Sequence, residues 1–177
     1  MSDDVNSKDA SGKLGWILLL LGRLVLAVVF LFAAYVKLKP QGASSWSIVS
    51  VRTSLTMFAL EVDSYQLLSP PAVTFVANTL PPFELVLGLW LLGGIALRYS
   101  SLATTLLLGG FFTVMVRSYI RGLDINCGCF GPGERLGPRT LVRDGSLLAL
   151  ALAVTIGAFL IRRRRTGPTS PGVIPAP

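Results

Sequence analysis

The chain has 177 residues, 52% of them hydrophobic and 14% charged, which is too apolar for an ordinary soluble domain and points to a small integral membrane protein. Its net charge of +7 would suit nucleic acid, but no basic groove with interleaved aromatics occurs, and four of the charges form one run, Arg162 to Arg165; no nucleic-acid partner is expected. Histidine is absent, so any chemistry rests on thiols, carboxylates or basic side chains.

In chain order, residues 1–13 are a polar tail of mixed charge, and residues 14–37 form an apolar run broken only by Arg23. That run can cross a hydrocarbon core of about 30 Å and is too long for the core of a cleaved signal peptide. Two further spans, at about 81–97 and 99–117, meet at Arg98 as a tight hairpin, and a fourth covers about 142–161. The predicted fold is all-α: an integral membrane four-helix bundle over 14–161, followed by a basic and disordered tail, 162–177.

Any four-span topology places the two long loops on one side. The loop between the first and second helices carries an amphipathic stretch around Ser45 to Pro71, expected to lie in the interface or against the bundle. A fifth span there would strand Arg52, Glu61 and Asp63 in lipid. Lysine and arginine number seven on the side of the termini and eight on the loop side, so orientation turns on the dense run abutting the last helix. Both termini are expected in the cytoplasm and the loops outside.

The second loop contains Asn126 to Gly133, NCGCFGPG, with both cysteines of the chain. Cys127 and Cys129 can close a disulfide if the chain turns sharply at Gly128, and so small a ring suits an exchanging couple better than a permanent staple. Arg117, Arg121, Arg135, Arg139 and Arg143 surround the pair in sequence and would favour a thiolate, partly offset by Asp124, Glu134 and Asp144. The bland alternative is two small buried residues in a tight turn. A zinc site usually needs four cysteine or histidine ligands, so no metal site is expected, with two-coordinate Cu(I) as a lesser alternative.

Lys37 ends the first helix, and Glu84, just after Pro81 and Pro82, is read as standing in the first turn of the second. A carboxylate there serves the helix dipole; an ion pair with Lys37 would brace the loop side or move protons during thiol exchange. Arg23, nine residues into the first helix, is expected to snorkel or to face an acidic or quinone-like ligand. Gly93, Gly94, Gly109 and Gly110 read as close-packing points between helices.

The runs RLVLAVVFLFAAYVKLKP, YQLLSPPAVTFVANTLPPFELVLGLWLLGG, DINCGCFG and LVRDGSLLALALA, between about Arg23 and Ala153, resemble the MauE-like branch of the DoxX-like membrane proteins. The resemblance implies a four-helix bundle of the bacterial plasma membrane tied to redox chemistry. It also implies a thioredoxin-like or disulfide-containing client as partner, as in methylamine utilisation. Cys127 and Cys129 carry over as the catalytic candidates, with Lys37, Glu84 and Arg143 in support. Disulfide-generating enzymes of the DsbB and vitamin K epoxide reductase type relay electrons between two cysteine pairs; this chain has one, so a partner protein or a membrane carrier must reset it. No cofactor motif stands out, and a quinone is the cofactor class left open. Two readings follow: a membrane thiol-disulfide protein, or a non-catalytic scaffold whose cysteines shape the loop.

Overall fold

The computed structural model describes residues 3–40, 47–128 and 134–165, with side chains over 15–40, 47–128 and 134–160. Five helices occur among them: α1 (Asp3–Leu38), α2 (Ile48–Ser64), α3 (Pro70–Gly93), α4 (Leu97–Ile120) and α5 (Pro138–Arg165). Four segments are long and apolar enough to cross a membrane: Gly15–Leu38, Pro70–Gly93, Leu97–Ile120 and Pro138–Leu160. Helices satisfy every backbone donor and acceptor within the segment, which is what a lipid environment demands. The all-α reading therefore holds. Large apolar side chains such as Val28, Phe32, Leu89 and Ile156 remain exposed on the outer faces, where lipid would cover them.

Neighbouring spans form a ring in which α1 touches α3 and α5, and α4 touches α3 and α5. The contacts run antiparallel. Lys37 meets Glu84 and Gly88 lies against Leu31, while Gly22 faces Val154 and Gly157 faces Leu19. A Cβ on Gly88 would come within 2.8 Å of Leu31, and one on Gly157 within 2.7 Å of Leu19, so these glycines let the helices approach. Of the glycines singled out by sequence, Gly110 has open space and Gly93 meets only Ile95, whereas a Cβ on Gly109 would face Leu148 of α5 at 3.9 Å and one on Gly94, in the turn between α3 and α4, would strike Arg23 of α1. Core packing centres on Leu26, Ala27, Leu91, Ala151 and Val154, and Thr105 and Thr155 share a hydroxyl hydrogen bond of 2.9 Å between α4 and α5.

Several boundaries differ from the sequence reading. The span expected to open at Pro81 begins at Pro70, because Ser69, Pro70 and Pro71 form the real N-terminus, with proline at the first helical positions. Pro81 and Pro82 lie inside α3. Prolines are tolerated within membrane helices because packed neighbours and local adjustment can satisfy the freed backbone groups. The same helix stops at Gly93 rather than Leu97, where Gly94 adopts φ 68° and Gly94 and Ile95 donate to Leu91 and Trp90 in a Schellman closure. Backbone helix also continues through the polar segment at the start of α1 and through Arg162 to Arg165 of α5; residues 166–177 of the expected tail lie outside the described residues.

The amphipathic loop segment is α2, tucked against the bundle. Ser47 and Ser50 form a reciprocal capping box at its start. Its Phe58 packs on Ala77 and Leu80 of α3, with Leu107 and Phe111 of α4 beside them. Ser54 donates to the carbonyl of Lys39 at 2.8 Å, fastening α2 to the end of α1.

Candidate functional site

Lys37 and Glu84 are 47 positions apart in the chain, and the antiparallel register of α1 and α3 brings them together. The Lys37 ammonium donates to both carboxylate oxygens of Glu84 at 2.9 Å, and the two side chains are only 5% and 7% exposed. At 5.3 Å from the ammonium lies the centre of the Phe58 ring, a cation–π contact from α2. Glu84 stands fourteen residues into α3, so it caps nothing; the first-turn reading is corrected, because the helix starts earlier. What satisfies this carboxylate is Lys37.

The thiol sits on a short hairpin between α4 and α5. Asn126 and Arg135 form an antiparallel bridge, flanked by hydrogen bonds from the Cys127 amide to Glu134 at 2.7 Å and from the Leu136 amide to Ile125 at 2.8 Å. Tyr65, just beyond α2, donates its hydroxyl to the Cys127 carbonyl at 2.8 Å. Gly128 turns the chain at φ 69°, a left-handed conformation that favours glycine. Cys129 lies outside the described residues, as do positions 130–133.

Around the buried Cys127 Sγ stand Asp144 Oδ2 at 3.8 Å, Met115 Sδ at 3.9 Å and Arg143 Nη2 at 4.0 Å. Arg143 also grips Asp144 through Nε at 3.0 Å and Nη2 at 3.3 Å, and reaches Glu134 with Nη1 at 2.5 Å. One guanidinium thus ties the far strand of the hairpin to the first turns of α5 and stands beside the sulfur. A cation so placed stabilises a thiolate, while the neighbouring carboxylate can accept the thiol proton. Of the arginines that surround the pair in sequence, Arg143 makes this contact to Cys127.

Lys37, Glu84, Cys127 and Asp144 line one cavity of about 410 Å³, to whose wall all five helices and the hairpin contribute. Glu61 of α2, not singled out from the sequence as a site residue, joins them. Its carboxylate lies over Gly128, close enough that a Cβ there would sit 2.9 Å from Oε2. Burial pushes the Glu61 carboxyl above its ordinary range, and the Lys37 charge opposes this only in part. A sequence signal did exist: Ser54, Phe58, Glu61 and Tyr65 recur at helical spacing, so Glu61 is a carboxylate on the inward stripe of α2. No group of three histidine, cysteine, aspartate or glutamate side chains converges as a metal site among the described residues.

Arg23 lies at the other end of the bundle. Its Nη2 approaches the Leu92 carbonyl at 3.5 Å, and a side chain on Gly94 would strike Nη1, so the guanidinium rests on the C-terminal end of α3. Helix carbonyls carry partial negative charge there and attract a cation. That position sets Arg23 apart from the cavity residues, with its Nε buried and without a hydrogen-bond partner among the described residues.

Fold and site together define a small integral membrane protein of four spans and one packed accessory helix, with an ion pair and a thiol on the wall of an apolar chamber. The chain belongs to the MauE family: the model for methylamine utilisation protein MauE matches residues 15–157. No curated protein and no solved structure matches it.

Proposed function

We propose that this MauE-family membrane protein exchanges thiols and disulfides with a thioredoxin-like or disulfide-containing client through Cys127 and Cys129. The observation that carries the reading is the Cys127 sulfur held between the Arg143 guanidinium at 4.0 Å and the Asp144 carboxylate at 3.8 Å. Since Cys127 is only 4% exposed, it takes the internal position of the couple. A client thiolate attacks the Cys129 sulfur of the disulfide, forming a mixed disulfide and expelling the electron pair onto Cys127 beside Arg143. A second client thiolate then attacks the client sulfur of the mixed bond and releases Cys129. The client gains one disulfide, the protein becomes a dithiol, and two electrons have moved. The same steps in reverse reduce a client.

Lys37 and Glu84 brace the chamber beneath this hairpin, and Arg143 holds the hairpin to α5. Both termini are placed in the cytoplasm and the cysteine loop outside, where disulfides persist. Methylamine utilisation is the pathway suggested by the family description. Replacing Cys127 and Cys129 by serine, singly and together, tests the reading: Cys127→Ser should trap a client on Cys129 as a mixed disulfide, and the double variant should lose exchange. Full function in both single variants, with no trapped client, would sink it. The burial of Cys127 favours the rival reading, a non-catalytic membrane scaffold with structural cysteines, and that outcome would establish it.

A further inference from the structure

We propose that the end of the bundle opposite the cysteine hairpin holds the head group of an anionic phospholipid, with Arg23 and Arg98 as its ligands. This site is separate from the thiol couple and does not depend on the exchange reading above. Three observations carry it: two cations without an acidic partner, a seat that fixes each of them, and large exposed apolar side chains around them.

Charge is divided unevenly along the bundle. Of the six acidic side chains described, five lie in α2, in the α4–α5 connection and at the start of α5. The sixth, Glu84, is ten residues before Gly94, about 15 Å back along α3 at ~1.5 Å per residue, where Lys37 satisfies it. Neither Arg23 nor Arg98 makes a salt bridge among the described residues. The end of α3 offers Arg23 a partial charge only, through one hydrogen bond of 3.5 Å to the Leu92 carbonyl, and its Nε is buried with no partner there. A full positive charge within a membrane span is costly unless an anion meets it.

Each guanidinium is already seated. Gly94 leaves the space that Nη1 of Arg23 occupies, and the side chain is half-buried, so part of its donor fork is left for a ligand. Arg98, in the first turn of α4, lies over the rings of Tyr99 at 5.7 Å and of Phe159 on α5 at 5.8 Å. Leu97 beside it packs on the core cluster that includes Leu26 and Ala27, one turn on from Arg23, so both cations serve one end of the bundle. Guanidinium forks match the oxygens of a phosphate. At the same end α5 runs on into Arg162 to Arg165, a basic stretch of the kind that anionic membrane surfaces attract.

The surroundings select the source of the phosphate. Leu92, Ile95 and Tyr99, on either side of the Arg23 contact at Gly94, are large and exposed, as is Phe159 against Arg98. A soluble phosphate would leave these side chains bare. A phospholipid covers them with its acyl chains while its head group meets the arginines.

Native mass spectrometry of the full chain, titrated in detergent with phosphatidylglycerol or with phosphatidylcholine of the same acyl chains, tests this. One phosphatidylglycerol should bind at least about tenfold more tightly than phosphatidylcholine, whose ammonium offsets its phosphate. Arg23→Gln and, independently, Arg98→Gln should each weaken phosphatidylglycerol binding about three- to tenfold, with helical content and phosphatidylcholine binding unchanged. Arg23→Lys keeps the charge but loses the fork and should fall between Arg23→Gln and the wild type. Inorganic phosphate should not displace the lipid. Equal affinity for the two lipids, displacement by inorganic phosphate, or a preference that both Gln variants leave intact would overturn the site.

Discussion

A buried ammonium and a buried carboxylate stabilise the fold only while both are present. Removing one leaves the other as an unpaired charge away from water, so Lys37→Ala or Glu84→Ala is expected to destabilise the bundle by about 3–5 kcal/mol, measured as a shift in denaturant unfolding in detergent. The apolar double variant Lys37→Met with Glu84→Leu should recover most of that loss. Glu61 behaves differently, because its folded-state pKa is raised. The folded state holds a proton that the unfolded chain releases, so stability falls as pH rises from the ordinary value of 4.5 through the raised one, and the cost persists above it. Glu61→Gln should therefore be more stable than the wild type at pH near 8 and equal to it below 4.5, read from unfolding midpoints at both pH values. A gain of equal size at both pH values would contradict the burial argument.

The elements show why some of the architecture was visible early and some was not. The apolar run of α1 and the pairing of α3 with α4 as a tight hairpin could be seen directly, since span length is a local property, although the turn lies at Gly94 rather than Arg98. The start of α3 was not, because two proline pairs, at 70–71 and 81–82, both resemble helix openers. Only packing of the segment before Pro81 against Phe58 decides between them. At the hairpin, Gly128→Ala places a side chain at φ 69° and against Glu61, so a loss of roughly 1–2 kcal/mol is expected, with a displaced Glu61 that crystallography or NMR would show. Between α4 and α5, Thr155→Val removes the hydroxyl contact with Thr105 and should cost about 0.6–2 kcal/mol in the same unfolding assay. A neutral result would mean that packing alone holds this helix pair.

For the molecule as a whole, orientation follows from charge near the span ends, and here the two sides are nearly balanced. Termini in the cytoplasm are the expectation drawn from the terminal arginine run, and labelling in a cysteine-free background tests it. A cysteine at the exposed Gln66 should react with a membrane-impermeant maleimide in intact cells, and one at Ser7 only after permeabilisation. The opposite pattern would invert the topology and move the thiol chemistry into a reducing compartment.

Composition and the length of the apolar runs by themselves pointed to four candidate membrane spans, an arrangement that puts the cysteine loop and the long first loop on one side. A lipid environment leaves little other choice to such segments. Lys37, Glu84, Arg143 and the cysteine loop could also be picked out as candidates, because charges in apolar helices and paired thiols are conspicuous in a row of letters. Their relation to one another could not. The Lys37 contact with Glu84, the position of Glu61 over Gly128 and the chamber behind Cys127 depend on register between helices far apart in sequence. Register is set by close packing at positions such as Gly22 and Gly88. Only the tertiary structure turned Cys127 from one half of a short motif into a buried thiol between Arg143 and Asp144, facing an apolar space.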